Sequence, residues 1–180
     1  MNKAVFLDRD GVINEDHGYV FQPRNFDFID GIFEACRHFQ QLGYLLVVVT
    51  NQSGIARGMY SEAQFSELSA WMCERFREQG VEISGIYHCP HHPDYGAPTE
   101  RDCSCRKPAP GLLLQACQEL NIDPALSLML GDKASDMQAA AAAGIGQKIL
   151  VRSGQALNEK VESLADEVWP SAHAALQRVQ

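Results

Sequence analysis

Short apolar runs alternate along the chain with longer stretches in which apolar residues recur every three or four positions. The runs "AVFLD", "YLLVVVT", "GIYHC", "LSLMLGD" and "KILV" are too short for helices and mostly too continuous for strands with one wet face. They predict strands buried on both faces of a parallel sheet. The intervening stretches read as helices. Ile32, Phe33, Cys36, Phe39 and Leu42 form one stripe, and Gly43 supplies its stop. Ser61 with Gln64 three positions on is a capping-box arrangement, followed by a stripe through Phe65, Leu68, Trp71, Met72 and Phe76. A third helix follows Pro110 with Leu113, Leu114, Cys117 and Leu120 as its apolar stripe, and a fourth runs from about Ala134 to Gly144. The tail beyond about residue 155 reads as further helix around a short "DEVWP" strand. Strands alternating with helices predict right-handed crossovers and an α/β, Rossmann-like open parallel sheet with helices on both faces.

Polar residues fall where the predicted strands end. Asp8 and Asp10 close the first, Thr50 and Asn51 the second, and Asp132 the "LMLGD" strand. In open α/β sheets ligands bind outside the carboxyl ends of the strands, so these residues are expected to converge. Any single Asp or Asn there is explained by turn chemistry, whereas several together, with Lys107 in "CRKPAPG", are not. In "FLDRDG" the side-chain alternation of an extended strand puts Asp8 and Asp10 on one side and sends Arg9 away. Two carboxylates so placed repel, and a cation between the acids and an anionic substrate is the expected remedy.

At 180 residues and 46% hydrophobic, the chain can bury one substantial core, so residues 1–180 are expected to form a single domain. The formal charge of −8 disfavours a general nucleic-acid surface. An opening "MNKAVFLDRDG" that passes directly into a strand, with no later bilayer-length apolar run, predicts a cytoplasmic protein without a membrane partner. The six cysteines are then thiols or metal ligands rather than disulfides. Cys36, Cys73 and Cys117 are scattered through helical stretches and read as small buried hydrophobes; Cys89, Cys103 and Cys105 are clustered.

"DRDG" after the first strand, "TN" after the second, the lysine of "RKPAPG" and "GDKASD" after a later strand resemble the four motifs of the haloacid dehalogenase superfamily, in the same order and over nearly the whole chain. The longer strings "LDRDGVINEDHGYV", "VVVTNQSGIARG", "CPHHP" and "CSCRKPAPG" resemble, within it, the bacterial heptose bisphosphate phosphatases. The resemblance implies Mg²⁺-dependent removal of the 7-phosphate of D-glycero-D-manno-heptose 1,7-bisphosphate, in lipopolysaccharide precursor synthesis. Asp8 would be the nucleophile that forms an aspartyl-phosphate, and Asp10 the acid and then the base. Mg²⁺ would be held by Asp8, the backbone carbonyl of Asp10 and Asp132, and the phosphoryl group by Thr50 and Lys107 with Asn51 in support. Asp136, one helical turn beyond Asp132, is a candidate to orient Lys107 or a metal-bound water, and equally a first-turn acid favoured by the helix dipole. Lys133 departs from the double-acid form of the last motif and is assigned to the neighbourhood of metal and phosphate.

Superfamily members with cap domains insert them after the first motif or between the second and third. Only about twenty residues separate Asp10 from the first helical stripe, too few for a domain, so a capless enzyme is expected. Selectivity then falls to loops, and the resemblance points to Asp16, His17, Gly18, Tyr19, Gln52, Ser53 and Arg106. Arg57 is a further cation near enough in sequence to reach a distal phosphate. The stretch from about 88 to 106 offers Cys89, Cys103 and Cys105, with His88, His91 and His92 as candidate imidazoles; three thiolates and one imidazole suit a closed, structural Zn²⁺ site. The resemblance selects His91, in the C-x-H position.

The expected partner is a small sugar bisphosphate, bound by a monomer. Histidinol phosphatases share the capless core, the Asp pair and a similar zinc loop, but "HGYV" and "NQSGIARG" favour the heptose enzymes. A non-catalytic, zinc-stabilised module is the alternative of another class, and retention of both Asp8 and Asp10 counts against it.

Overall fold

The computed structural model describes residues 1–180. Six strands form one parallel sheet: β1 (Lys3–Leu7), β2 (Tyr44–Asn51), β3 (Gly85–Cys89), β4 (Leu128–Gly131), β5 (Gln147–Val151) and β6 (Glu167–Trp169), in the spatial order β3-β2-β1-β4-β5-β6. β1 to β5 correspond to the five apolar runs, and β6 to the short "DEVWP" strand of the tail. Between them lie α1 (Ile32–Gln41), α2 (Glu62–Glu78), α3 (Gly111–Glu119), α4 (Ala134–Ala142) and the single turn α5 (Glu159–Glu162); a second single turn, α6 (Ala175–Arg178), ends the chain. No helix is long and apolar enough to cross a membrane.

The period-two geometry of the strands divides the core into two layers. Val5, Leu7, Leu46 and Val48 face a cluster completed by α1, α2 and α6, whereas Ala4, Phe6, Val47 and Val49 face one completed by α3 and α4. Both faces are therefore covered, which is why the strands carry almost no polar residue before their ends. Ser61 accepts from the Gln64 amide while the Gln64 side chain accepts from Ser61 N, so the predicted capping box starts α2.

The predicted stripe of α3 is rotated. Leu112, Leu113 and Ala116 are the buried positions, and Leu114 is 48% exposed. The cause lies at the helix entry: Gly111 donates to the Ser104 carbonyl at 2.9 Å and sits so close to it that a Cβ would overlap the Ser104 backbone. That contact fixes the entry of the helix, and with it which leucines face the core.

Two connections carry little regular structure. Residues 11–31 contain one 3-10 turn, Pro23–Asn25, and are pinned to α1 and α2 by rings: Phe28 lies 4.7 Å from Phe33 and Phe26 lies 5.5 Å from Trp71, centroid to centroid. Residues 90–110 contain one more, Pro98–Glu100. Both connections lead away from the carboxyl ends of β1 and β3.

Candidate active site and metal loop

Strand order reverses at β1, whose neighbours β2 and β4 lead to opposite halves of the sheet. The carboxyl ends of these three strands deliver Asp8, Thr50 and Asp132 to one place, as expected for ligand sites in open sheets. All three are buried, and so are Lys107 and Asp136.

Asp8 Oδ1 accepts from the Arg9 amide at 2.8 Å and lies 3.1 Å from Lys107 Nζ. Burial raises the Asp8 pKa to about 7; Lys107 and Lys133 pull it down, and Asp136 and Asp132 push it further up. The Asp132 pKa rises to about 6, chiefly through burial, with Lys133 opposing and Asp136 adding. Asp132 Oδ2 accepts from Gln155 N at 2.9 Å, while its Oδ1 is buried with no hydrogen-bond partner. Gly11, at φ +92°, and Gly154 lie against this carboxylate where a Cβ on either would overlap it. One carboxylate oxygen from each of Asp8, Asp132 and Asp136 lies within 4.8 Å of the other two. Crowded acids, raised affinities for protons and an unpartnered buried oxygen fit a hard divalent cation, for which oxygen donors are the natural ligands.

Lys107 is the local counterion. Its Nζ reaches Asp136 Oδ1 at 2.7 Å, Val49 O at 2.8 Å and Asp8 Oδ1. Burial favours a neutral amine, but Asp136 and Asp8 together overcome it, holding the ammonium above the usual lysine range. Asp136 meets Lys107 and also sits in the first turn of α4, where its Oδ2 accepts from the Asp132 and Lys133 amides, each at 3.1 Å, and caps the helix. Asn51 donates to Lys107 O and accepts from Lys107 N, both at 3.0 Å, so its amide serves the lysine's backbone.

The expectation that Arg9 points away from the acids is corrected. The regular strand ends at Leu7, so alternation does not extend through the pair, and the buried Arg9 guanidinium turns back to Asp10 Oδ1 at 3.0 Å and Val20 O at 2.7 Å. Asn14 also donates to Asp10 Oδ1, at 3.0 Å, and Gln52 to Asp10 Oδ2, at 3.3 Å. The clash that a cation relieves is therefore centred on Asp8, Asp132 and Asp136, while Asp10 is matched by protein donors.

A cleft of about 250 Å³ opens over these groups, lined by Asp10, Asp16, Gly18, Tyr19, Asn51, Gln52, Ser53, Tyr60 and Lys133. A recess of about 30 Å³ shares Asp10, Asn51 and Lys133 with it and adds Asp8, Lys107, Ser135 and Asp136. His17 lies outside both, its Nε2 2.7 Å from Asp27 Oδ2, and Arg106 turns to His91 O at 3.2 Å. Arg57 stacks 4.3 Å from the Tyr95 ring centroid and meets His92 Nε2 at 3.1 Å. A groove of about 480 Å³ between Phe21–Arg24 and α2 is larger but contains none of the expected residues. Sequence reasoning missed Tyr60, Arg9 as a partner of Asp10, Ser135, and the Gln155 amide. Only Arg9 carried a signal, being a charged residue set between two acids at the end of a buried strand.

Beyond β3, Cys89, His91, Cys103 and Cys105 converge with one donor atom from each within 4.8 Å of the others. Cys105 Sγ lies 3.4 Å from Cys103 Sγ and from His91 Nδ1, and Cys89 Sγ lies 3.6 Å from Cys103 Sγ. His88 is instead paired with Glu62 at 2.7 Å, and His92 with Arg57. Burial opposes the Cys103 thiolate, but the Arg106 amide and contacts from Cys105, His91 and Cys89 outweigh it and lower its pKa to about 6. Four soft donors in a closed cluster could hold a metal, and they suit tetrahedral coordination.

The family model described as "HAD-hyrolase-like" matches residues 104–175. D-glycero-beta-D-manno-heptose-1,7-bisphosphate 7-phosphatases from Vibrio cholerae and Yersinia pestis are each 57% identical over 169 residues, 93% of this chain and 91% and 90% of theirs. The crystal structure of D,D-heptose 1.7-bisphosphate phosphatase from B. bronchiseptica, complexed with magnesium and phosphate, superposes with a TM-score of 0.84 at 31% identity, covering 98% of this chain and 97% of that one. Sheet order, strand-end acids and buried lysine define a phosphatase of the haloacid dehalogenase type. Within that class, the chain belongs to the D-glycero-beta-D-manno-heptose-1,7-bisphosphate 7-phosphatase family.

Proposed function

We propose that the protein is a capless, single-domain phosphatase of the cytoplasm that removes the 7-phosphate of D-glycero-D-manno-heptose 1,7-bisphosphate. The observation that carries this reading is the division of the acids: Asp8 is set between Lys107 and the carboxylates of the cation site, while Asp10 is held separately by Arg9, Asn14 and Gln52.

An oxygen of Asp8 attacks phosphorus as the bond to the sugar oxygen breaks, and the Asp10 carboxylic acid delivers its proton to that departing oxygen. The product is an aspartyl-phosphate on Asp8 and a free sugar hydroxyl. Asp10, now a carboxylate, takes a proton from a water that attacks the same phosphorus; the acyl-phosphate bond breaks, inorganic phosphate leaves and Asp8 is restored. Lys107 places its positive charge beside Asp8, and the Thr50 hydroxyl donates to a phosphoryl oxygen. Asn51 supports both by fixing Lys107 to the end of β2. Asp8, Asp132 and the Asp10 carbonyl would hold Mg²⁺, which when bound supplies charge neutralisation for the phosphoryl oxygens. Asp16, Gly18, Tyr19, Ser53 and Lys133 line the cleft that would take the sugar, and His17 and Arg106 stand outside its lining. Cys89, His91, Cys103 and Cys105 would hold a structural Zn²⁺ that shapes the loop leading to Lys107.

The deciding experiment compares Mg²⁺-dependent phosphate release from heptose bisphosphate and from histidinol phosphate. The expected result is a kcat/KM at least about a hundredfold higher for the heptose. Preference for histidinol phosphate would overturn the substrate and leave the chemistry standing.

A further inference from the structure

We propose that Tyr60 is a positioning residue: its hydroxyl fixes the amide of Gln52, and through that amide sets both the carboxyl group of Asp10 and the hydroxyl proton of Thr50. Gln52 was expected to bind substrate, yet its side chain is buried and its polar ends are committed within the protein. Nε2 donates to Thr50 Oγ1 at 2.8 Å and to Asp10 Oδ2 at 3.3 Å, and Oε1 accepts from the Tyr60 hydroxyl. The direction of this chain follows from donor and acceptor chemistry. In the carboxylate form that activates water Asp10 only accepts, so the NH₂ end faces it and the oxygen end is left for Tyr60.

Two consequences follow for the reacting groups. Asp10 Oδ1 is taken by Arg9 and Asn14, at 3.0 Å each, so the bond from Gln52 to Oδ2 settles the remaining rotation of the carboxyl group. Thr50 Oγ1 accepts the second Gln52 hydrogen, which frees the threonine's own hydrogen to point at a phosphoryl oxygen. One amide thereby orients the proton carrier and a charge-stabilising donor.

The keying group is itself rigidly seated. Tyr60 is 5% exposed, and its ring stacks on Phe21 at 5.3 Å with 10° between the planes. Gly54 also lies against the ring, where any Cβ would overlap it, so the ring lies where only glycine permits. Burial pushes the Tyr60 pKa up to about 12, against Arg9 and with help from Asp10, so the hydroxyl keeps the proton it donates. A tyrosine held only for packing would not need its oxygen aimed at a buried amide.

The inference rests on the reading of Asp10 and Thr50 given above, and a mutant cycle tests it on the Mg²⁺-loaded enzyme. Tyr60→Phe keeps the ring and removes the hydroxyl; Gln52→Met keeps the length and removes the amide. Each is expected to lower kcat about tenfold, because each releases the shared hold on Asp10 and Thr50, with KM changed by less than about twofold. Because Tyr60 acts through Gln52, the double variant is expected to be no slower than Gln52→Met alone. Additive losses in the double variant, an unchanged kcat in Tyr60→Phe, or a change confined to KM would each overturn the proposal. Thermal melting of each variant confirms folding; if Tyr60→Phe does not fold, an unchanged kcat in Gln52→Met overturns it. Should the wild type fail to turn over heptose bisphosphate, the substrate assignment falls. The cycle is then read on the phosphomonoester that the wild type hydrolyses fastest.

Discussion

Asn51 and Lys107, 56 residues apart, are joined by a reciprocal pair of hydrogen bonds in which the asparagine amide both donates to and accepts from the lysine's backbone at 3.0 Å. The pair ties the end of β2 to the loop that descends from the cysteine cluster, so the charge beside Asp8 is placed by two different parts of the chain. Only an amide can satisfy both bonds. Asn51→Asp presents a carboxylate to the Lys107 carbonyl, two acceptors face to face, and is expected to reduce kcat/KM by about one to two orders of magnitude. Steady-state kinetics check this; a variant within about twofold of wild type would show that the lysine needs no such clamp.

Asp8→Asn isolates the nucleophile. The amide retains an oxygen of similar size, but it attacks phosphorus poorly and cannot form the acyl-phosphate, so turnover is expected to fall by about 10³-fold or more. The same substitution removes a carboxylate whose pKa burial has raised to about 7, a sign that its charged form is costly in this setting. The melting temperature should therefore be equal to or above that of the wild type, as for other residues retained for activity at the expense of stability. Undiminished turnover would rule out the covalent route.

Asp136 distinguishes a structural acid from a reacting one. Its two oxygens serve Lys107 on one side and the first amides of α4 on the other. Removing it in Asp136→Ala leaves a buried ammonium short of a partner and a helix without its cap. The expected cost is about 3–5 kcal/mol, read from the midpoint of urea unfolding, together with loss of activity. A change below about 1 kcal/mol would mean that Asp8 and the Val49 carbonyl suffice to hold Lys107.

What the sequence made legible is what strand geometry and chemistry dictate locally. Continuous apolar runs identified the first five strands, because a strand covered on both faces admits few polar residues along its buried length. For the same reason the polar residues at those ends marked the site: Asp8, Thr50 and Asp132 sit at three adjacent strand termini. Relations that depend on the path of a loop were not legible. Arg9 meets Asp10 because the strand stops at Leu7, and Tyr60 reaches Gln52 because Gly54 leaves room for its ring; neither is encoded by periodicity. Leu114 was misplaced for a related reason, since the rotation of α3 is set by the contact of Gly111 with Ser104 rather than by the leucines.

The cysteine cluster gives a prediction that separates structure from chemistry. Cys105 lies two residues before Lys107, and the intervening Arg106 donates to His91 O at 3.2 Å, so a metal held by these four side chains would fix the segment that delivers the ammonium. Without such an ion the loop from 90 to 106 has one 3-10 turn and few buried apolar residues to hold it. The protein as purified is expected to contain one equivalent of zinc, measurable by elemental analysis. Chelation should lower the melting temperature and, in parallel, kcat, although no proposed catalytic side chain is removed. Cys89, Cys103 and Cys105 should then react with a thiol reagent that they resist beforehand, while the buried Cys36 stays inert in both forms. Cys105→Ser should behave as the chelated protein does, with a loss not restored by excess Mg²⁺. Full turnover and an unchanged KM after complete zinc removal, assayed with Mg²⁺ resupplied, would uncouple the loop from Lys107 and leave the cluster a role in stability alone.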